Sequence, residues 1–457
     1  MSGRLSPTAD LRLFRSRLGA HLFVADGSRV YDLDRETAAR LERLLSDPQT
    51  GDSASIWRAL GLTPEGGRRR IGDVPLAPPP LHSVSLNVAQ ACNMSCHYCY
   101  AETGTFGGRA RLMSRDVAEA AVERLIAESE PGARLLLGFM GGEPLLNRDV
   151  IHHVTRYAVR RAAASDREMR FSITTNATLL APADAALFAE FPFGVQVSLD
   201  GRREEHDAAR PLNAGGSSYD LALAGLRLME RAGRPRQLSA RVTVTPHTGE
   251  LLPILDHLIG LDFDDVGFAA VVVSPSPAHA FAPGDFPRFL QRMIECGRAT
   301  LDRLIAGERY PFGNFETALH EIHRGSHRPY PCGAGAAYLS ANAEGRLFAC
   351  HRLIDDPAFA MGDVHTGSDL AARAAHLAES RVDRMEPCRT CWARYLCGGG
   401  CYHEVKRRGR LGCDYVRGWL EFCLSAYIEL AAARPAYFDA LVRDTWTPSD
   451  TATTLGP

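Results

Sequence analysis

Apolar and polar positions alternate in a regular rhythm between residues 82 and 307. Six short runs rich in β-branched and large apolar residues occur there, and a segment with apolar residues at helical spacing follows each run. Such alternation predicts a parallel sheet with right-handed crossovers. Because six units are two fewer than a complete barrel has, we predict an α/β fold built on a partial (β/α)6 barrel of the TIM type. The runs are HSVSLNVA, ARLLLGFM, MRFSITTNA, GVQVSLD, LSARVTVT and DVGFAAVVV.

The residues before this repeat predict a small module over residues 1–75. HLFVADGSRVYDLD contains two β-rich runs around a turn, and RETAARLERLLSD and SASIWRALGL predict two short helices after it. GGRRR and PLAPPP have the composition of a linker. At the other end of the chain, TPSDTATTLGP is polar and predicts a frayed tail.

Composition excludes several classes of function. The chain has 457 residues, 45% of them hydrophobic and 23% charged, and its net charge is -2. These values are typical of a soluble folded protein and give no electrostatic reason to bind nucleic acid. MSGRLSPTADLRLF has no apolar signal core, and no run approaches the ~18 apolar residues of a membrane span. We therefore expect a cytoplasmic protein with no membrane partner.

Twelve cysteines are present, and their spacing carries the chemistry. In a reducing compartment, regularly spaced cysteines indicate metal or cluster ligation more than disulfides. Cys92, Cys96 and Cys99 follow the first predicted strand directly, in CNMSCHYC. The segments MGGEP, TTNA and SLDG follow the next three strands. Because the carboxyl edge of such a sheet collects the chemistry, we expect these four loops to form one site.

Three thiols suit an iron-sulfur cube with one iron left open, since protein thiolates otherwise cap all four irons. The spacing CxxxCxxC, with Tyr98 before the third cysteine, resembles the radical S-adenosylmethionine (radical SAM) superfamily. The resemblance implies that the open iron binds the methionine end of S-adenosylmethionine, whose reductive cleavage yields a radical that takes hydrogen from the substrate. A structural zinc with His97, or three unrelated thiols, are the alternatives.

The same resemblance implies which residues hold the cofactor. GGEP is similar to the superfamily segment that receives the methionine ammonium, and SLDGRREEHDAAR to a segment whose serine and arginine lie near the ribose and the carboxylate. An ordinary strand-helix turn and a surface-exposed arginine are the alternatives. The implied cofactor-binding residues are Tyr98, Gly141, Gly142, Glu143, Pro144, Asn176, Ser198, Asp200 and Arg210.

The C-terminal cysteines resemble a SPASM domain, a module that carries two auxiliary 4Fe-4S clusters. In relatives the ligands interleave, which implies an outer cluster held by Cys388, Cys391, Cys397 and Cys413 and an inner cluster held by Cys332, Cys350 and Cys401. Two zinc ribbons are the alternative. Three 4Fe-4S clusters and S-adenosylmethionine are thus the expected cofactors. Cys296 and Cys423 are expected to be buried structural thiols.

The implied function is that of a maturase that modifies a precursor peptide or protein, supplied with electrons by a flavodoxin or ferredoxin. His351 stands where anaerobic sulfatase maturases have an aspartate, and a cysteine before Cys332 is missing. Imidazole could replace that base. We therefore favour a cysteine thioether cross-link, as in quinohemoprotein amine dehydrogenase and cysteine-rich peptide maturases. Carbon-carbon cyclophane formation, formylglycine-type oxidation, and an iron-sulfur electron carrier or scaffold remain alternatives.

The N-terminal module resembles, in shortened form, the winged-helix element that recognises leader peptides, where the leader adds a strand to the hairpin edge. A small cap packed on the barrel is the alternative. The predicted organisation is a recognition module (1–75), the radical SAM barrel (82–307), a connector (308–331), the SPASM domain (332–425), and a C-terminal helix with its tail (426–457).

Overall fold

The computed structural model describes residues 10–46, 56 and 76–443, with side chains up to residue 439. The predicted helix in SASIWRALGL apart from Ile56, the linker segment GGRRR and the tail TPSDTATTLGP lie outside the described residues. The structure contains a three-stranded and an eleven-stranded sheet. Within the described ranges, none of the helices has the length and apolar character needed to cross a bilayer.

The small sheet forms the N-terminal module. Its three antiparallel strands are followed by one helix, and the hairpin and this helix lie where the pattern predicts them. The first strand was not predicted. The elements are β1 (Leu11–Ser16), β2 (Gly19–Val24), β3 (Arg29–Leu33) and α1 (Arg35–Ser46).

The large sheet contains the predicted barrel. Its six long strands lie side by side in the order β10-β9-β8-β7-β6-β4, each parallel to its neighbour, which confirms the partial barrel. A short fifth strand pairs antiparallel with β4. The strands are β4 (Ser83–Gln90), β5 (Arg111–Leu112), β6 (Arg134–Gly141), β7 (Glu168–Thr175), β8 (Phe193–Ser198), β9 (Gln237–Val244) and β10 (Asp265–Ala270).

Helices cover the outside of these strands at the six predicted positions, and a short helix that was not predicted, Arg203–Ala209, follows the fourth of the six long strands. Ser114 caps the first helix by accepting a hydrogen bond from the Val117 amide at 3.3 Å. The helices are α2 (Arg115–Ala127), α3 (Arg148–Ala163), α4 (Pro182–Glu190), α5 (Arg203–Ala209), α6 (Ser218–Ala232), α7 (Leu251–Ile259) and α8 (Phe286–Ala306).

The two faces of the strands differ in character. Phe171 and Phe193 stack at 5.0 Å, and Phe188 of α4 packs on Phe193 at 4.8 Å, so this face forms the core against the helices. Because side chains alternate along a strand, the residues between them face the barrel lumen. On β8 and β9 these include the polar side chains of Gln196 and Arg241, which line cavities within the lumen.

The predicted connector closes the open side of the barrel with helix α9 (Gly313–His323). The Asn314 side chain accepts a hydrogen bond from the Phe268 amide at 2.7 Å and donates one to the Phe268 carbonyl at 3.0 Å. These bonds satisfy backbone groups of β10 that a seventh strand would otherwise meet. The connector backbone also contributes, because the Val266 amide donates to the Pro311 carbonyl at 3.0 Å.

The cysteine-rich region is joined to the barrel through the same sheet, since β11 pairs parallel with β4. Strands β12 to β14 continue it antiparallel. Cys296 and Cys423 are both fully buried. The elements are β11 (Tyr338–Ala341), β12 (Arg346–Phe348), β13 (Ala360–Asp363), β14 (Gly367–Ser368), α10 (Leu370–Glu379), α11 (Arg394–Cys397), α12 (Tyr402–Arg408), α13 (Cys413–Ala433) and α14 (Ala436–Arg443).

The N-terminal sheet packs on this C-terminal region through one edge. Arg12 of β1 pairs with Glu421 of α13 at 2.5 Å and lies over the Trp392 ring at 5.7 Å. Phe23 meets Trp392 edge-on at 5.7 Å. The β1 edge is therefore covered, whereas β3 pairs with no further strand among the described residues.

Candidate active site at the carboxyl edge of the barrel

The first three cysteines lie together in the loop that follows β4. Burial raises the pKa of the Cys92 thiol to about 12, and the neighbouring Glu143, Cys96 and Cys99 raise it further. Burial also raises the pKa of Cys96. Grouped, buried thiols of this kind lose their protons when a metal compensates the charge. The donor set therefore fits a thiolate-bound cluster.

The segment after α5 fastens this cysteine loop in place. The Ser95 amide donates to the Pro211 carbonyl at 3.0 Å, and the His97 amide donates to the Ala209 carbonyl at 3.2 Å. The Asn213 amide donates in turn to the Asn93 carbonyl at 3.1 Å. Two loops that are distant in sequence thus form one rigid unit.

Gly141 and Gly142 bring the second loop against the first. The Gly142 amide donates to the Ala89 carbonyl at 2.8 Å. A Cβ at Gly142 would lie 2.2 Å from the Ala91 carbonyl oxygen, and one at Gly141, where φ is +139°, would lie 2.2 Å from that of Ala89. Only glycine permits this approach. Pro144 is buried at the start of a short 3-10 helix, Pro144–Asn147.

Glu143 is fully buried and joins the second loop to the third. Its carboxylate accepts hydrogen bonds from the Thr175 hydroxyl at 2.7 Å, the Asn176 amide at 2.7 Å and the Leu145 amide at 3.0 Å. Burial raises its pKa, and these three donors oppose the rise. The structure gives the carboxylate three protein partners, and Glu143 does not line the cavity described below.

Asn176 connects the third loop to the cysteine loop. Its side-chain amide donates to the Asn93 side-chain oxygen at 2.9 Å, and its own oxygen accepts from the Thr178 hydroxyl at 2.7 Å. Asn93 completes the ring by donating to Thr178 at 2.8 Å. Sequence reasoning missed Asn93 and Thr178, although asparagine within CNMSC was a visible signal.

Tyr98, Asp200 and Arg210 form a buried triad. The Tyr98 hydroxyl donates to Asp200, and the Arg210 guanidinium donates to the Tyr98 oxygen and lies 3.7 Å from the Asp200 carboxylate. The Thr243 amide donates to the other Asp200 oxygen at 2.9 Å. Burial raises the pKa of Asp200, and the Arg210 charge opposes this. Arg210 is therefore held in position below the surface.

His206 supports this triad and was missed from the sequence. Its Nδ1 accepts a hydrogen bond from the Asp200 amide at 3.1 Å. Burial lowers its pKa to about 3, so the ring is neutral. Asp207 fixes the next turn by accepting from the Tyr219 amide at 2.8 Å. The HD pair of the fourth-strand segment was the available signal.

The C-terminal cysteines fall into two groups. Cys332, Cys350 and Cys401 are mutual neighbours, and burial together with the other two thiols raises the pKa of Cys350 to about 12. We call these three the inner group. Burial also raises the pKa of Cys388 to about 11, and its thiol neighbours raise it further. We call that set the outer group, which consists of Cys388, Cys391, Cys397 and Cys413.

No three histidine, cysteine or acidic side chains in the described ranges converge closely enough to hold a single metal ion. A four-iron cube is wider than one ion, so its ligands surround a volume and not a point. The inner group, the outer group and the first three cysteines each have the chemistry of such a ligand set.

His351 and Arg352 border the inner group. His351 Nδ1 lies 3.1 Å from the Tyr338 hydroxyl, and burial with the nearby Arg352 and His403 charges lowers its pKa to about 3. The Arg352 guanidinium lies 3.7 Å from the Cys401 sulfur and donates to Glu404 at 2.8 Å. Arg352 was missed from the sequence, since its contacts depend on the fold.

One cavity of about 260 Å³ unites these groups. We call it the cluster chamber. It is lined by the first three cysteines, the inner group, the glycine pair, Asn176, Ser198, Arg210 and His351. The outer group does not line it. A small molecule in this chamber could contact the loop cysteines and a substrate at once.

Comparison with known proteins agrees with this geometry. Residues 86–256, which contain the four loops, match the model of the Radical SAM superfamily. A serine-type anaerobic sulfatase-maturating enzyme of Klebsiella aerogenes is 26% identical over 362 residues, which are 75% of this chain and 85% of that enzyme.

Two solved structures share the fold. The structure of native anSMEcpe with bound AdoMet and Cp18Cys peptide has a TM-score of 0.66 at 19% identity and covers 78% of this chain and 99% of its own. Streptococcus suis SuiB bound to precursor peptide SuiA has a TM-score of 0.51 at 15% identity, with 90% and 98% covered. The resemblance of the cysteine loop and its neighbours to the radical SAM superfamily is confirmed by the family match.

Proposed function

We propose that this chain, which matches the radical SAM superfamily and is similar to a sulfatase-maturating enzyme, is a maturase that installs a cysteine thioether cross-link in a peptide or protein. The observation that carries the proposal is the cluster chamber, in which the first three cysteines and the inner group line one cavity. A peptide side chain in that cavity would lie between two ligand sets. The outer group, which lies apart from this cavity, suits a relay of electrons from an external flavodoxin or ferredoxin.

We assign the first cluster to Cys92, Cys96 and Cys99, with the inner and outer groups as ligands of the two auxiliary clusters. When bound, the first cluster and S-adenosylmethionine supply a carbon radical that takes a hydrogen atom from the substrate, while the auxiliary clusters offer a path for the surplus electron. The fit rests on the grouping and burial of the thiols.

The protein's own part is to position the cofactor and the substrate. The approach of Gly142 to the first loop exposes main-chain atoms to the chamber, and Arg210 offers a guanidinium to a carboxylate. Tyr98 and Asp200 hold the Arg210 guanidinium in place, so this side chain loses little conformational freedom when it binds a carboxylate. Glu143 acts by fixing the loop through its three hydrogen bonds.

We assign His351 the role of proton acceptor for the substrate thiol. The lowered pKa keeps the ring neutral, and a ring of such low basicity can accept the proton only from a thiol whose own pKa is lowered by coordination to a cluster. Loss of the thiol proton makes sulfur nucleophilic. His351→Gln should slow cross-linking more than the uncoupled cleavage of S-adenosylmethionine.

The N-terminal sheet suits leader recognition because its β3 edge pairs with no further described strand. An extended leader can add to such an edge through main-chain hydrogen bonds. Deletion of residues 1–75 should then weaken peptide binding and leave uncoupled cofactor cleavage intact. If peptide affinity is unaltered by the deletion, the module is a cap.

Anaerobic incubation with dithionite, S-adenosylmethionine and peptides encoded near the gene tests the function. Formation of 5'-deoxyadenosine separates an enzyme from an electron carrier or scaffold. A thioether removes two hydrogens and blocks thiol alkylation, whereas a carbon-carbon link removes two hydrogens and leaves the thiol free. Conversion of cysteine to formylglycine replaces sulfur with oxygen and also removes two hydrogens. Absence of 5'-deoxyadenosine would falsify the proposal.

A further inference from the structure

A second cavity of about 170 Å³ lies in the barrel below the cluster chamber, and we call it the lower chamber. It is enclosed by β8 to β10, the connector helix α9, helix α13 and the loop around Gly400. Gln196 and Arg241 line both cavities and so mark the boundary between them. The two chambers form one lumen with polar residues at its middle.

Arg241 is the feature of this boundary that the proposed function does not use. Its guanidinium has no hydrogen-bond acceptor and no carboxylate within 4.0 Å among the described residues. The nearest charges are those of Arg352, Asp265 and Glu404, and Glu404 is already bonded to Arg352 at 2.8 Å. A cation that lines a largely enclosed cavity without a protein partner is stabilised when a bound anion completes it.

Asp265 shares the lower chamber and also lacks a hydrogen-bonding partner in the described part of the chain. Asp265 is the first residue of β10 and lies below Arg241 in the lumen. The two side chains do not form an ion pair. The chamber therefore holds Arg241 near the clusters and Asp265 toward its other end, together with Arg328 and Glu321, which pair with each other at 3.5 Å. The negative charge of Asp265 would repel a dianion such as phosphate. A single carboxylate can pair with Arg241 without approaching Asp265.

We propose that Arg241 binds a carboxylate of the peptide substrate next to the residue that is modified, so that the enzyme selects peptides with an acidic group at that position. The inference rests on the proposed peptide-modifying function and deepens it. The carboxylate can come from an aspartate or glutamate side chain or from the C-terminus of the peptide. A guanidinium fork suits either source.

Two synthetic libraries test this inference, both with three random residues on each side of a central cysteine and an acetylated N-terminus. One library ends in an amide and the other in a free carboxylate. Anaerobic holoenzyme retains peptides on a filter, and mass spectrometry measures the enrichment of each residue type. Enrichment of Asp and Glu in the amide library indicates that the carboxylate comes from a side chain. Enrichment confined to free-acid peptides indicates that it comes from the C-terminus. Each of these two results supports the proposal.

Variants at three positions test whether Arg241 is the residue that binds the peptide carboxylate. Arg241→Gln should reduce the acidic enrichment about tenfold, as loss of a charged hydrogen bond does. Asp265→Asn should raise the acidic enrichment, because it removes a negative charge that repels the peptide carboxylate. A variant that only misfolds would lower the enrichment, so a rise separates recognition from misfolding. Arg227→Gln, on an exposed turn of α6, is the matched control and should behave as wild type.

Failure of this inference can be told from failure of the proposed function, because retention does not require turnover. No acidic enrichment by the wild-type protein in either library would overturn the proposal. So would enrichment that survives in Arg241→Gln, or a loss of S-adenosylmethionine affinity in that variant, which would assign Arg241 to the cofactor. Absence of 5'-deoxyadenosine bears on the function alone.

Discussion

The charged side chains of the two chambers differ in the protein partners that they have. Around the cluster chamber, Arg210 is bonded to Tyr98 and Glu143 has three donors. In the lower chamber Arg328 pairs with Glu321, whereas Asp265, and Arg241 at the boundary of the two cavities, have no such partners in the described residues. A site that must hold one fixed cofactor is preorganised, and a site that recognises a substrate leaves its charges for the ligand.

The largest effect should follow from loss of the first three cysteines. Substitution of Cys92, Cys96 and Cys99 by alanine should abolish cofactor cleavage and leave roughly eight of an expected twelve irons, since each cube contributes four. Iron analysis and detection of 5'-deoxyadenosine measure both quantities. An unchanged iron content would show that these thiols hold no cluster. The cluster chamber would then not be a cofactor site, and the comparison between the two chambers would fail.

A pair of arginine variants tests the division directly. Arg210→Gln removes a cation that lines the cluster chamber and should weaken S-adenosylmethionine binding about 30-fold, the value of one hydrogen bond to a charged group. Arg241→Gln should leave that affinity unaltered. Equilibrium dialysis with labelled cofactor measures both. Equal losses in the two variants would mean that the chambers share one ligand.

The cluster chamber was largely predictable from the sequence, and the lower chamber was not. Cysteine spacing and the GGEP segment mark the upper loops because metal ligation and close backbone approach restrict residue type. Alternation along LSARVTVT does place Arg241 opposite the apolar face of β9. Whether the lumen stays open or is filled depends on the side chains of neighbouring strands and of α9, which no local pattern specifies.

Other features depend on the tertiary fold in the same way. The repeat of strands and helices predicted the barrel, because periodicity follows from which face is buried. The pairing of β11 with β4 joins residues far apart in sequence. The role of Asn314 in closing the β10 edge is a contact between one side chain and one backbone unit. Such features carry no periodic signal.

The acidic side of the lower chamber predicts a pH dependence of stability. Burial raises the pKa of Glu316 from 4.5 to about 7, with the Asp265 charge adding to the rise. The folded chain then keeps a proton that the unfolded chain has released, so the free energy of unfolding should fall as pH rises from about 4.5 to 7, by about 3 kcal/mol.

Glu316→Gln should remove this loss, and the variant should be more stable than the wild type at pH 8. Anaerobic urea unfolding of the holoenzyme at a series of pH values measures the effect. Glu308→Gln, in an exposed pair with Arg303, is the control and should change little. A wild-type stability that does not fall over this pH range would contradict the rise of the Glu316 pKa on folding.

The smallest expected effect comes from one added methyl group in each chamber. At Gly142 the new Cβ would lie 2.2 Å from the Ala91 carbonyl oxygen, so backbone must shift, and Gly142→Ala should cost about 2 kcal/mol of unfolding free energy and weaken cofactor binding. At Gly267 the nearest atom is Nη1 of Arg241 at 3.4 Å, an ordinary contact. Gly267→Ala should therefore leave stability within about 0.5 kcal/mol and reduce only the retention of acidic peptides. Urea unfolding and the library experiment measure the two quantities. If Gly267→Ala weakens cofactor binding as much as Gly142→Ala does, the lumen behaves as a single site and the comparison between its two chambers fails.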